Sequence, residues 1–118
     1  MTSIINTKRI VLKKFTENDV DLLFELDSDP EVMKYITLGK TKTLNEVKNK
    51  FMPRVMQSYK NGKDYGIFSA YLITNNSFIG WFQFEPDKSI KDAVEIGWRL
   101  KKECWGNGYA TEALSSVV

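Results

Sequence analysis

Two glycines one residue apart, Gly106 and Gly108, stand between a segment of alternating hydrophobicity and a segment of helix-forming composition. Val94, Ile96, Trp98 and Leu100 alternate through Ala93 to Leu100, the period of a strand, and Tyr109 to Val118 reads as a helix. The chain must therefore turn from strand to helix within Trp105-Gly106-Asn107-Gly108-Tyr109-Ala110. Glycines let the backbone turn there without a side-chain clash, so successive N–H groups can converge on an anion at the positive end of the following helix. The loop has the build of a diphosphate cradle. It lacks the Lys-Ser/Thr ending of a P-loop, and the third glycine and parallel context of a dinucleotide fingerprint. Taken alone, Asn107-Gly108 also reads as a plain tight turn.

Upstream, two more strand signals precede the alternating one. Tyr65 to Ile73 is rich in aromatic and branched residues, Thr74 to Ser77 is turn chemistry, and Phe78 to Glu85 returns as the second arm of a hairpin. Gly80 marks a bulge or a close approach within it. Before these lie a first strand at Arg9 to Phe15 and three helix starts. Thr16 to Asp19 caps the run Val20 to Leu26. Asp29 caps a short helix whose first residue is Pro30. Thr43 to Glu46 is a capping box opening the longest helix, to about Tyr59, with Leu44, Val47, Phe51 and Val55 as its apolar face and, at Pro53, either a kink or a shift of its end by a turn expected. The order is strand, helices, three antiparallel strands, loop, helix, which is an α+β arrangement.

The 118 residues suffice for one domain, and a 42% hydrophobic and 27% charged composition is that of an ordinary globular chain. A net charge of +2 with interspersed signs gives no field for nucleic-acid phosphates, so no nucleic-acid partner is expected. No run approaches the roughly 20 apolar residues of a membrane span, so no membrane partner and a cytoplasmic location are expected. With one cysteine, Cys104, and no histidine, an intrachain disulfide, a Ser-His or Cys-His nucleophile and a protein-only zinc site are all excluded.

The string from Trp105 through Ala113 resembles the Arg/Gln-x-x-Gly-x-Gly/Ala loop of the GNAT superfamily of N-acetyltransferases, and with Asp29-Pro30-Glu31-Val32-Met33 it looks like the RimJ/RimL-type branch. Trp105 stands where the broad pattern has Arg or Gln. The resemblance covers residues 8–118. It implies a GNAT-like fold with a mixed, mostly antiparallel sheet flanked by helices, and acetyl-CoA as cosubstrate. A complete member continues with further strands and a helix, so the resemblance also implies that these C-terminal parts are missing here. By similarity, backbone groups of Ile96, Gly97 and Trp98 face the pantetheine arm, Gly106, Asn107, Gly108, Tyr109, Ala110 and Thr111 surround the pyrophosphate, and Trp105 counts among the cofactor-binding residues.

Glu95 is implied as the base, because a protonated amine has no lone pair with which to attack a thioester and a carboxylate can take that proton directly or through water. The plain alternative is a surface glutamate on an edge strand. Gly97 lets substrate approach the backbone or is a bulge residue. Trp81, Phe82, Phe84 and Trp98 are either pocket lining or core. Cys104, beside Glu103 and without a basic partner in the loop, is not expected to act as a nucleophile. Lys101 and Lys102 either attract the cofactor phosphates or are solvated surface. The partners implied are acetyl-CoA and an amine acceptor, a protein N-terminus or a small molecule. A homodimer through the exposed edge of the 93–100 strand or the terminal helix is a further expectation. A non-catalytic acyl-CoA-binding or dimerisation module is the rival reading, and turnover separates the two.

Overall fold

The strand signals pair in chain order. In the computed structural model, which describes residues 3–62, 65–87 and 89–115, five strands form one sheet in the order β1-β2-β3-β4-β5. They are β1 Ser3–Asn6, β2 Ile10–Lys14, β3 Gly66–Leu72, β4 Phe78–Pro86 and β5 Val94–Leu100, and every neighbouring pair is antiparallel. β1 escapes the sequence reading because four residues are too few to show a period; it forms against the edge that β2 offers.

Among the described residues five α-helices accompany the sheet: α1 Val20–Asp27, α2 Pro30–Thr37, α3 Leu44–Glu46, α4 Met52–Ser58 and α5 Tyr109–Ser115. The end of the expected last helix, residues 116–118, lies outside the described residues. The caps form as expected. Asp29 accepts from the Glu31 N–H with Pro30 in the first turn, and Thr43 and Glu46 cap each other reciprocally. Thr16 and Asp19 do the same, opening a 3-10 turn, Glu17–Asp19, that leads into α1.

Pro53 acts differently from the expected kink. A π-helical turn, Val47–Phe51, joins α3 to α4, and the Met52 N–H reaches back five residues to the Val47 carbonyl. Proline supplies no N–H, so an i→i+5 step just before it is one way to carry the helix past the missing bond. The apolar face shifts accordingly. Val47, Met52 and Val55 are buried at spacings of five and three and Phe51 packs half-buried against the same cluster, while Leu44, which a strict α-helical period placed on this face with Val47, Phe51 and Val55, is exposed.

Register assigns the side chains to two faces. Ile10, Leu12, Phe68, Ala70, Phe82, Phe84 and Leu100 form one buried cluster with Ala113 of α5. Phe15, Ile67, Phe78 and Trp81 form the other with Leu23 and Leu26 of α1 and Met52 and Val55 of α4. The sheet is thus covered by α5 on one face and by α1 and α4 on the other. Tyr59, in the 3-10 turn Tyr59–Asn61, ties the second layer down: its hydroxyl accepts from the Phe15 N–H at 2.8 Å and donates to the Ile67 carbonyl. Burial pushes that phenol well above its ordinary value. Tyr59→Phe leaves both backbone groups without this partner, and a loss of about 1–3 kcal/mol in urea unfolding is expected; a midpoint equal to the parent's would remove the hydroxyl from the account.

Candidate functional site

β5 is the last strand of the sheet among the described residues, and its hydrogen-bonding edges can be read from its ends. The Lys101 N–H donates to the Ile79 carbonyl at one end, and the Asp87 N–H donates to the Ala93 carbonyl at the other, each at 2.9 Å. In an antiparallel ladder the direction alternates, so Glu95, Gly97 and Arg99 turn their backbone groups toward β4. Val94, Ile96, Trp98 and Leu100 turn theirs to the open edge. The Leu100 carbonyl accepts from Trp105 Nε1 at 3.0 Å, which leaves Val94, Ile96 and Trp98 as the residues presenting both edge N–H and C=O groups. The backbone groups of Gly97 are thus turned toward β4 and away from the open edge.

Gly97 serves instead as space. It pairs with Gln83 without a bulge, and a Cβ there would stand 2.7 Å from Gln83 Oε1. Gln83 lies across this gap and donates to Glu85 Oε1 at 2.7 Å and, more weakly, to Glu95 Oε1 at 3.4 Å. Glu85 faces Glu95 across the ladder and is held by Arg54 at 2.6 Å and Asn61 at 3.3 Å. Glu95 itself is exposed, with its carboxylate on the α1–α4 face. Gln83, Glu85 and Arg54 were missed in the sequence; the visible signal was two polar residues, at 83 and 85, on one face of an otherwise apolar strand.

Past β5, a 3-10 turn, Lys102–Cys104, leads into the glycine loop. Gly106 and Gly108 adopt φ +79° and +76°, the left-handed region. Asn107 folds back to donate to the Cys104 and Trp105 carbonyls at 3.2 and 3.3 Å, so its side chain shapes the loop from within. The first helical bond of α5 runs from the Glu112 N–H to the Gly108 carbonyl at 3.0 Å. The N–H groups of Tyr109, Ala110 and Thr111 therefore precede the helical ladder and have no intrahelical acceptor. Nothing stands within 4 Å of where a Gly106 Cβ would be. Turn chemistry and open, donor-rich backbone coexist here.

The other expected residues separate. Phe82 and Phe84 are core beneath α5 and Trp81 is core on the opposite face, so none of the three lines the edge. Trp98 stands half-exposed beside it, in a cleft of about 150 Å³ with Val32, Ile36, Leu100 and Trp105. Lys101 is paired with Glu25 at 2.9 Å and so is held toward α1 rather than free to steer an anion. Burial and the neighbouring Glu103 charge push the Cys104 thiol above its ordinary value, against a slight pull from Lys101, which disfavours a thiolate. A more spacious cleft, about 460 Å³, is lined by Glu17, Val20, Lys48, Met52, Pro53 and Lys60. It belongs to the helical layer of the face opposite α5, and no loop residue reaches it, so volume and chemistry point to different places; the backbone donors decide for the loop. Among the described residues no helix is long and apolar enough to cross a membrane, and no group of three or more acidic or cysteine side chains is placed to hold a metal ion.

Residues 9–118 match the family model described as "Acetyltransferase (GNAT) domain". The uncharacterized N-acetyltransferase p20 of Bacillus licheniformis is 27% identical over 112 residues, 95% of this chain and 62% of that protein. The acetyltransferase (GNAT family) from Bacillus anthracis superposes with a TM-score of 0.75 at 30% identity, over 96% of this chain and 62% of that one. The ribosomal L7/L12 alpha-N-protein acetyltransferase RimL, in complex with coenzyme A, superposes with a TM-score of 0.74 at 17% identity, over 98% of this chain and 65% of that one; at that identity the likeness is one of fold. The chain spans less than two thirds of the length of each of the three.

Proposed function

Because the chain belongs to the GNAT acetyltransferase family, we propose that its domain, residues 8–118, takes part in transferring an acetyl group from acetyl-CoA to a primary amine. The observation that carries this reading is the juxtaposition of an open β5 edge with a glycine loop whose N–H groups stand ahead of the α5 ladder. Gly106 to Thr111 offer donors to the pyrophosphate, and Trp105 closes the near end of the edge through the Leu100 carbonyl. Ile96 and Trp98 offer edge N–H and C=O groups to the amides of the pantetheine arm. Two glycines with positive φ and open space at Gly106 suit the close approach of a phosphate to backbone.

Glu95 is the base in this proposal. It takes a proton from the ammonium directly or through one water; the freed amine attacks the thioester carbon, the C–S bond breaks, and coenzyme A leaves as a thiol carrying the proton that the attacking nitrogen gives up. Gln83 keeps the Glu95 carboxylate beside Gly97, and the paired Glu85 holds Gln83 in turn. Likeness to the RimJ/RimL-type branch supports a protein N-terminal amine or a small amine as acceptor, and a cytoplasmic setting. The test is amine-dependent thiol release from acetyl-CoA over a panel of peptide N-termini and small amines. Glu95→Gln is expected to lower kcat by about 10²-fold or more with acetyl-CoA affinity retained; equal turnover in parent and variant would end the role of Glu95. A second reading, a non-catalytic acyl-CoA-binding or dimerisation module, draws on the outer edge of β5, which no strand pairs among the described residues, with Val94, Ile96 and Trp98 exposed beside it. It requires binding with no thiol release for any amine.

A further inference from the structure

Glu112, in the first turn of α5, is gripped by a turn more than a hundred residues earlier in the chain. One carboxylate oxygen accepts from the Thr7 hydroxyl and from the Arg9 backbone N–H at 2.9 Å, and the other accepts from Arg9 Nε. The turn is itself closed, since the Ile10 N–H donates to Thr7 Oγ1 at 3.0 Å and the Thr7 N–H to the Ile10 carbonyl at 2.8 Å. With its Nε committed, the Arg9 guanidinium lies over the Tyr109 ring, 4.6 Å from the centroid. Its Nη2 comes within 3.6 Å of where a Gly108 Cβ would be. A single arginine thus meets three successive levels of the loop and helix: Gly108, Tyr109 and Glu112.

We propose that Arg9 is a positioning residue for the glycine loop: aimed by Glu112 and seated on Tyr109, it fixes the backbone of residues 107–110 in the form that presents its N–H groups to an anion. The proposal deepens the reading of this loop as the acetyl-CoA pyrophosphate site and rests on it for the identity of the anion. Three features make the grip specific. The Glu112 carboxylate receives three donors, all from the β1–β2 turn, so its direction is fixed. Although burial alone acts the other way, the hydrogen bonds from Thr7 and Arg9 hold that carboxyl below its ordinary value, so it stays ionised at neutral pH. A planar guanidinium can bond sideways through Nε while stacking and facing Gly108 with Nη2, which an ammonium cannot do.

The test uses the full chain, with Arg9→Gln, Arg9→Lys and Glu112→Gln, and two readouts: amide hydrogen exchange without ligand, and calorimetric affinity for acetyl-CoA. Expected are about tenfold faster exchange at the α5 amides of residues 112–115, the first of which donates to the Gly108 carbonyl of the loop, with the β3 and β4 amides unchanged, and about tenfold weaker acetyl-CoA binding, in all three variants. Unchanged exchange at these amides overturns the proposal. So does an acceleration spread evenly over the sheet, which would mark Arg9 as a general stabiliser, and so does full recovery in Arg9→Lys, which would mean that charge alone acts. If the parent chain does not bind acetyl-CoA, the reading of the loop as its site fails, while the exchange measurement still decides whether Arg9 positions the loop.

Discussion

Asp27→Ala is expected to lose about 3–5 kcal/mol of stability in urea unfolding. Asp27 ends α1 and is fully buried. It accepts from Arg99 Nη1 at 2.5 Å, while Lys42 Nζ approaches its other oxygen at 3.4 Å, an electrostatic contact short of hydrogen-bond geometry. The Arg99 side chain is only 12% exposed, and its Nε has no partner among the described residues. Removing the carboxylate would leave a guanidinium buried against Trp81, whose ring centroid is 5.1 Å away, with no counter-ion beyond the reach of solvent. Lys42, a third exposed, can rehydrate, so the penalty falls on Arg99. The pair Asp27→Leu with Arg99→Met should recover most of the loss, because removing both charges removes the stranded one. A loss below about 1 kcal/mol for Asp27→Ala would mean that Arg99 finds water and that this pair does not anchor β5 to α1.

Gly80→Ala comes next and acts on the same strand from the other side. Gly80 has φ +145°, and a Cβ there would lie 2.1 Å from the Arg99 carbonyl oxygen and 2.8 Å from the Leu100 Cα. Both obstacles are backbone of β5, which cannot yield without opening the β4–β5 ladder. Strain and overpacking together put the cost at about 2–6 kcal/mol. Gly39→Ala is the control: its φ is +89°, but nothing lies within 4 Å of its Cβ, so it carries backbone strain alone, about 1–2 kcal/mol. Chemical denaturation of the two variants in parallel measures the difference. Equal losses would show that β5 does not approach Gly80 as closely as described.

These two positions mark the boundary of what the sequence discloses. Asp29-Pro30, Thr43 to Glu46 and the glycine loop were legible because capping and turn chemistry are written in neighbouring residues, and the strands from Tyr65 to Leu100 because alternation is local. Asp27 was not legible. An aspartate near a helix end reads as solvated, and only the fold brings Arg99 to it, 72 residues on. Nor was the link from Arg9 to Glu112 legible, 103 residues apart, or the π turn before Pro53, where a missing donor was visible but its remedy was not. At the candidate site, the loop and Glu95 were chosen by pattern. The direction of each backbone group along β5 required the register, which turned Gly97 from a hydrogen-bonding residue into the gap that accommodates Gln83.

The central claim, that residues 106–111 form the pyrophosphate seat of acetyl-CoA, is tested most directly by calorimetric titration of the chain with acetyl-CoA, repeated on Gly108→Glu. A side chain at Gly108 must adopt φ +76° and would start 3.6 Å from Arg9 Nη2, so the new carboxylate would take up the guanidinium facing the loop as well as repel the phosphates. Saturable binding by the parent that is lost in Gly108→Glu is the predicted result. Binding of equal strength in both proteins, or none by the parent, would contradict it.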